Sequence, residues 1–188
     1  RQPNEKGFVS LKSILKDLSL LLRSHPSKRQ NQLELVDTGC DAEVIMNGTD
    51  LLQVLLNLTI NAFQSHPGPH TVRITPVCCS GPVRFDSLTA SPLDKVICSR
   101  EFDGDSPMVR ISVEDKGSGI PPETLARIFT PFFTTKGRQG TGLGLSIVQR
   151  LVTEAGGAIH VHSELGRGTT FHIYLARKEG SPARPLPE

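Results

Sequence analysis

The chain has 188 residues, a hydrophobic content of 37%, a charged content of 21% and a net charge of +2, values typical of one globular domain with its own core. Acidic and basic residues are mixed, which gives no basic stripe for nucleic acid, and no apolar run reaches the roughly 18 residues of a membrane span. The first residues, RQPNEKGF, are not typical of a signal peptide. The four cysteines lack the spacing of zinc ligands and are interpreted as reduced thiols of a cytosolic protein: Cys40, Cys78, Cys79 and Cys98.

The spacing of apolar residues predicts the elements of the first half of the chain. In order, these are a helix (8–23), two short strands (32–37 and 43–46), a second helix (50–65) and a strand (71–77). Thr49 or Asp50 is predicted to cap the second helix, and Pro67-Gly68-Pro69 to end it.

The second half opens with a segment, 78–107, whose glycines and prolines predict a partly mobile loop insertion between two strands of a hairpin. The elements after it are a strand (108–114), a short helix (122–128), a helix (142–155) ended by Gly156-Gly157, and a final hairpin (158–163 and 169–175). The predicted organisation is an N-terminal remnant or linker (1–7), one domain (8–177) and a disordered tail (178–188).

Helix 50–65 carries three neutral amides, Gln53, Asn57 and Asn61, at a spacing that places them on one stripe. No charged residue occurs between Leu51 and Val72, so the stripe is not typical of a solvated face. Buried amides need partners, and a magnesium ion with its waters would provide them. The alternative is that the amides cap neighbouring backbone.

Asp115 lies where a predicted strand enters the turn Lys116-Gly117-Ser118-Gly119. A carboxylate at this position can accept a hydrogen bond from an exocyclic amine, which adenine has and guanine lacks at the six-position. The glycines allow the backbone to approach a flat ligand. The alternative is a plain Asp-Gly turn.

The segment Gly140-Thr141-Gly142-Leu143-Gly144-Leu145 opens the helix 142–155. Free backbone N–H groups at a helix N-terminus suit a phosphate. The segment matches neither the Walker loop nor the dinucleotide fingerprint. Alone, it is also compatible with a simple turn.

Between these glycine segments, residues 129–140 have the composition of a lid. Phenylalanines anchor it (Phe129, Phe132 and Phe133), and a polar, cationic tip with Lys136 and Arg138 follows between glycines, a pattern that favours closure over phosphate. The alternatives are core packing for the phenylalanines and an ordinary solvated Lys136.

In this order, NLTINA (57–62), DKGSGIP (115–121), FTPFFTTK (129–136) and GTGLGLS (140–146) resemble the ATP-binding domain shared by sensor histidine kinases, gyrase-type topoisomerases, mismatch-repair ATPases and the large heat-shock chaperones. The closing stretch, GGAIHVHSELGRGTTFHIYL, resembles the final hairpin of a bacterial sensor histidine kinase, and the short lid resembles the nitrogen-regulation branch. The resemblance covers residues 8–175 apart from the insertion. It implies the Bergerat fold, an α/β two-layer sandwich in which a mixed sheet is covered on one face by three helices.

The resemblance also implies roles for residues. Asn61 would bind Mg²⁺, and Asn57 would assist with phosphates or metal-bound water; with Lys136 they form the candidate catalytic set. Asp115 would bind the adenine amine, and Thr169 would support that contact through water. The nucleotide-binding set is completed by Gly119 beside the base, by Lys136, Gly142 and Gly144 at the phosphates, and by Gly117, Ile120, Phe133, Gly140, Thr141, Leu143 and Leu145.

Asn57 bears on the type of reaction. Gyrase-like relatives resemble this sequence but carry a glutamate there, which serves as the base for water. An amide cannot take a proton, so Asn57 favours phosphoryl transfer over hydrolysis. An ATP-driven clamp of the gyrase or mismatch-repair class, a degenerate regulatory binding module and a stand-alone serine kinase acting as an anti-sigma factor remain alternatives.

None of the six histidines lies in an H box of the type His-Glu/Asp-x-Arg/Asn-Pro. His160, His162 and His172 are predicted on the outer face of the final hairpin, where a metal site is a remote alternative.

The resulting prediction is the catalytic part of a sensor histidine kinase. It would bind Mg-ATP and ADP and transfer the γ-phosphate to a histidine on a separate dimerisation domain of the parent chain, with a response regulator receiver domain as an indirect partner. Neither nucleic acid nor a membrane is expected to contact this chain. A cytoplasmic location is expected, with a membrane anchor of the parent left open.

Overall fold

The computed structural model describes residues 7–26, 30–86, 91–137 and 140–178. Its helices are α1 (Leu11–Arg23), α2 (Gly48–Phe63), α3 (Pro122–Leu125) and α4 (Gly144–Glu154). Its strands are β1 (Phe8–Ser10), β2 (Gln32–Leu35), β3 (Glu43–Ile45), β4 (Thr71–Cys78), β5 (Asp94–Cys98), β6 (Met108–Asp115), β7 (Ala158–Glu164) and β8 (Gly168–Ala176). Most of the predicted linker and tail lies outside the described residues.

Six strands form one mixed sheet in the order β2-β4-β6-β8-β7-β5. The outermost pair, β2 and β4, is parallel, and the other neighbours are antiparallel. In this register Asp115, the last residue of β6, lies between Val72 of β4 and Thr169 of β8. The sheet therefore brings the end of β6 and the starts of β4 and β8 to one edge.

The three long helices cover one face of this sheet, and α2 packs against both α1 and α4. Alternate residues of the strands enter the core that they share with the helices, such as Ile74, Ile111 and Ile173, which have no exposed surface. Burying one such side chain contributes about 1.5–3 kcal/mol, so this layer contact is the main source of stability. The predicted two-layer fold is confirmed. No helix within the described residues is long and apolar enough to cross a bilayer.

The starts of the first two long helices differ from the predictions. Residues 8–10, predicted as helix, form β1 and pair with β3, and α1 begins after Ser10, whose hydroxyl accepts a hydrogen bond from the Ser13 N–H at 3.3 Å. The predicted cap of α2 was wrong: Asn47 Oδ1 accepts hydrogen bonds from the N–H groups of Thr49 (2.9 Å) and Asp50 (3.3 Å). Asparagine caps as well as aspartate does, and here it precedes both candidates.

The segment predicted as a loop insertion contributes to the sheet. β4 and β6 do pair as a hairpin, but β5 lies within the insertion and adds an edge strand beside β7. The insertion also supplies Phe85, which packs against Tyr174 (centroid separation 5.1 Å) and Ala158 on the outer face, the face of the sheet away from the helices. The five residues of β5 do not clearly alternate between buried and exposed positions, so no strand was predicted there. The strand depends on its non-local pairing with β7.

The histidines of the final hairpin lie on this outer face. His160 is buried there, and Asp94 Oδ1 contacts both His160 Nε2 (2.6 Å) and His162 Nδ1 (3.0 Å). His172 Nδ1 contacts the Ser112 hydroxyl at 2.7 Å. Across the described ranges no group of histidine, cysteine or acidic residues is arranged to hold a metal ion.

The interpretation of all cysteines as reduced thiols was wrong for two of them. Cys40 and Cys78 form a disulfide between the β2–β3 connection and the end of β4, with Cα atoms 5.5 Å apart. Their proximity depends on the fold, so sequence spacing gave no indication of it. Cys79 and Cys98 are free, and burial raises the pKa of the Cys79 thiol.

Candidate functional site

A cavity of about 620 Å³ opens between α2, the lid and the sheet edge that carries Asp115. Its volume is in the range of small-molecule sites. Of the predicted site residues, those that line it are Asn57, Asn61, Asp115, Gly119, Ile120, Phe133, Lys136, Gly140, Thr141, Gly142, Gly144, Leu145 and Thr169. Gly117 and Leu143 are not among the lining residues.

Three amides line this cavity, Asn57 and Asn61 of α2 and Gln64 just after the helix, whereas Gln53 of the same stripe is not among the lining residues. Asn57 Nδ2 donates to Gln53 O at 3.0 Å, so the alternative of backbone capping applies to this nitrogen. Asn61 Oδ1 accepts a hydrogen bond from Lys136 Nζ at 3.2 Å, and Gln64 Oε1 accepts one at 2.9 Å. Sequence reasoning missed Gln64, although its position three residues after Asn61 places it on the same stripe. This wall of the cavity therefore offers amide oxygens to a cation.

Lys136 belongs to the lid and points into the cavity. Burial lowers the pKa of its ammonium, and the charge of Asp115 opposes that shift. Its ammonium donates to two amide oxygens, those of Asn61 and Gln64, and its role at the phosphates stays a prediction. Arg138, also predicted in the lid, lies outside the described residues.

The three phenylalanines of the lid have different surroundings. Phe129 is buried in the core, whereas Phe132 is 76% exposed and has a φ of 64°. Phe133 lines the cavity, and the Arg127 guanidinium lies 4.6 Å from its ring centroid. Core packing therefore explains one of the three, and the lid is anchored on the core through that residue.

Asp115 also lines the cavity and is almost completely buried. Burial raises the pKa of its carboxyl, while hydrogen bonds from the Gly117 N–H (2.8 Å to Oδ1), the Ser65 hydroxyl and the Thr169 N–H oppose the rise, as does the charge of His70. Gly117 has no room for a side chain, since a Cβ would collide with the Ser65 hydroxyl. Ser65 was missed because its relation to Asp115 spans two elements.

The second glycine segment places the start of α4 against the cavity. Gly142 has a φ of 66°, and a Cβ there would overlap the backbone of Phe132, whose N–H donates to Gly142 O at 2.9 Å. Within the part of the chain that the structure describes, no side chain caps the first turn of α4. Its N–H groups are thus open to an anion, with the positive end of the helix dipole beside the cavity.

Comparison with known proteins agrees with this geometry. Residues 46–179 match the family described as histidine kinase-, DNA gyrase B- and HSP90-like ATPases. The chain belongs to this family. The resemblance based on the four motifs is confirmed, whereas its assignment to the nitrogen-regulation branch stays a prediction.

Two curated relatives are sensor kinases. The chain is 35% identical to the sensor kinase CckA of Brucella abortus over 182 residues, which is 94% of this chain and 18% of CckA. It is 35% identical to the sensor histidine kinase ZraS of Escherichia coli over 167 residues, which is 89% of this chain and 30% of ZraS. The chain thus spans less than a third of the length of either relative.

Solved structures share the fold. ShkA, determined at full length in complex with AMPPNP, superposes with a TM-score of 0.69 at 27% identity, covering 96% of this chain and 32% of ShkA. The catalytic domain of histidine kinase ThkA gives 0.66 at 28% identity, covering 91% of this chain and 96% of that domain.

Proposed function

We propose that this chain binds Mg-ATP and donates the γ-phosphate to a histidine on a separate dimerisation domain of its parent protein. One observation carries the proposal: a single cavity is lined by Asn61, by Lys136 and by the buried Asp115. A nucleotide would place its base at Asp115 and its phosphates beside Asn61, Lys136 and the start of α4. AMPPNP, the ligand in the ShkA complex, is an ATP analogue, which supports a nucleotide in the same cavity.

The donor set suits Mg²⁺. Asn61 Oδ1 is a hard oxygen that already accepts a hydrogen bond from a cation, the Lys136 ammonium, and Asn61 lines the cavity. Magnesium takes few protein ligands and completes its shell with water and phosphate oxygens, so one amide is sufficient. When bound, the ion would offset negative charge on the phosphates, and Asn61 would hold it while Asn57 orients its waters.

The cavity favours transfer over hydrolysis. Among the described lining residues the only acidic one is Asp115, and its carboxylate accepts a hydrogen bond from the Gly117 N–H at 2.8 Å. Asn57 stands on the phosphate side but cannot accept a proton from water. With no base for water, the chain would act by positioning ATP and by stabilising charge, and the acceptor histidine would supply the nucleophile.

The remaining parts of the proposal concern the parent protein. The sensor kinases CckA and ZraS are several times longer than this chain, which agrees with a dimerisation domain elsewhere in the parent. A receiver domain of a response regulator would take the phosphoryl group afterwards. The catalytic part is proposed to act in the cytoplasm, where ATP is available.

The proposal is tested with labelled ATP. The chain alone is expected to bind Mg-ADP in calorimetry but to acquire no stable label, because it contains no H box. The parent protein is expected to acquire an acid-labile, base-stable label. An acid-labile label on the isolated chain, or a complete absence of ADP binding, would contradict the proposal.

A further inference from the structure

The hydrogen bonds around Asp115 decide whether its carboxyl offers a nucleobase an acceptor or a donor. An ionised carboxylate only accepts hydrogen bonds, whereas a protonated carboxyl can also donate one. Burial favours the protonated form, and the three donors at Gly117, Ser65 and Thr169 favour the ionised form. An acceptor suits the amine of adenine, and a donor suits the carbonyl of guanine. The donors that surround Asp115 therefore bear on which base is accepted.

Ser65 connects the end of α2 to the glycine turn after Asp115. Its carbonyl accepts hydrogen bonds from both the N–H (3.3 Å) and the hydroxyl (3.2 Å) of Ser118. Its own hydroxyl has one hydrogen and two acceptors within reach, Asp115 and Ala62 O, the latter at 2.8 Å. Ala62 O also accepts a hydrogen bond from the Ser65 N–H at 3.2 Å, so one further donor fills its second lone pair and leaves the Ser65 hydroxyl for Asp115.

His70 provides that group. Its Nε2 lies 2.8 Å from Ala62 O and 3.5 Å from the Ser65 hydroxyl, and its Nδ1 lies 3.0 Å from Gly68 O. Because a carbonyl oxygen only accepts, a hydrogen on Nε2 satisfies Ala62 O and leaves the Ser65 hydrogen for Asp115. A positive charge on His70 also favours the ionised Asp115.

The place of His70 is fixed from outside the cavity. Asn31 Oδ1 accepts a hydrogen bond from the His70 N–H at 3.2 Å, and Asn31 Nδ2 donates to Phe63 O at the end of α2 at 3.0 Å. The His70 carbonyl accepts from the Gln32 N–H at 3.0 Å, which starts β2. The connection between α2 and β4 is thus braced on both sides.

We propose that Ser65 and His70 are positioning residues that keep Asp115 an acceptor and so set the preference of the site for adenine over guanine. This inference rests on the proposed function, because it concerns the same cavity. Neither residue needs to touch the nucleotide phosphates, so their effect is confined to the base.

The test compares Mg-ADP with Mg-GDP, measured by calorimetry on the 188-residue chain. The variants are Ser65→Ala and His70→Ala. His66→Ala is the control in the same connection: the His66 Nδ1 accepts a hydrogen bond from the Gly68 N–H, and its ring meets the His70 ring edge-on at a centroid distance of 6.1 Å, so the control removes a ring contact of His70 but leaves the hydrogen bonds of His70 in place. In the two variants the ratio of the GDP to the ADP dissociation constant is expected to fall about tenfold, the effect of one lost hydrogen bond. In His66→Ala this ratio of dissociation constants is expected to equal that of the unmodified chain.

A pH series separates positioning from simple loss of structure. The titratable side chains whose charge acts on Asp115 are His70, in the connection after α2, and Lys136, in the lid. Loss of the Ser65 donor should raise the pKa of Asp115 further. As the pH is lowered, Ser65→Ala should therefore lose its preference for adenine at a higher pH than the unmodified chain does, although both proteins keep His70 and Lys136.

The possible results distinguish a failure of the roles given to Ser65 and His70 from a failure of the proposed function. If the unmodified chain binds ADP in preference to GDP, and both variants keep its ratio of dissociation constants and its pH profile, the inference is overturned and the proposed function stands. An equal fall in His66→Ala would also overturn the inference, because it would show that the turn acts and not the imidazole. Failure of the unmodified chain to bind ADP would contradict the proposed function itself.

Discussion

Replacing Gly142 by alanine tests whether the close approach between the second glycine segment and the lid shapes the site. Gly142 has a φ of 66°, and a Cβ there would overlap the backbone of Phe132. The left-handed backbone alone costs an alanine about 1–2 kcal/mol. Relief of the overlap moves Phe132 away and gives up its 2.9 Å hydrogen bond to Gly142 O, about 0.5–1.5 kcal/mol more.

A matched control is Gly156→Ala, at a glycine with a φ of 80° where an added Cβ would meet no neighbouring atom within 4 Å. Both variants are expected to lose about 1–2 kcal/mol of unfolding free energy in urea from the backbone conformation alone. Only Gly142→Ala is expected to weaken Mg-ADP binding in calorimetry, about tenfold, because the lid and the start of α4 both move. Equal ADP affinity in the two variants would refute the role given to this contact.

Three further predictions concern the metal, the disulfide and pH. Asn61→Ala should abolish the gain in ADP affinity on adding Mg²⁺, whereas Gln53→Ala, on the same stripe but not among the residues that line the cavity, should keep it; calorimetry that finds the gain in Asn61→Ala would contradict the metal assignment. Thiol titration of the denatured, unreduced chain should find two free thiols rather than four, and reduction of Cys40–Cys78 should lower the unfolding free energy by up to about 4 kcal/mol, the loop-closure value for their 38-residue separation. Burial and the charge of His160 lower the pKa of His172 from 6.5 to about 4, so between these pH values the unfolded chain binds a proton that the folded chain does not. As the pH is lowered from 6.5 to 4, the unfolding free energy of the unmodified chain should therefore decrease by up to about 3 kcal/mol more than that of His172→Gln. Urea unfolding free energies that change in parallel with pH in the two proteins would contradict this.

Local patterns predicted the parts of the site that lie on single elements. Helical periodicity predicted that Asn57 and Asn61, in the part of α2 after Leu51 that carries no charged residue, share one stripe, and both amides line the cavity. The turn after Asp115 and the glycines before α4 are likewise local, since each is specified by a few consecutive residues.

Features that depend on contacts between distant segments were not predicted. β5 is a strand only because β7 is beside it, and Cys40 meets Cys78 only after β2 and β4 have paired. Ser65 and His70 acquire their relation to Asp115 through the end of α2, not through spacing. Phe132 has a left-handed backbone where it packs closely against Gly142, and no residue preference indicated that conformation.

Asn61 and Asp115 are proposed to bind opposite ends of one nucleotide, and a crystal structure of the chain with ADP and Mg²⁺ would show whether they do. We expect Asn61 Oδ1 to lie about 2.1 Å from the metal and the Asp115 carboxylate to accept a hydrogen bond of about 2.9 Å from the adenine amine of the same ADP molecule. A nucleotide bound elsewhere, or one whose base contacts Asp115 while its metal is held without Asn61, would contradict it.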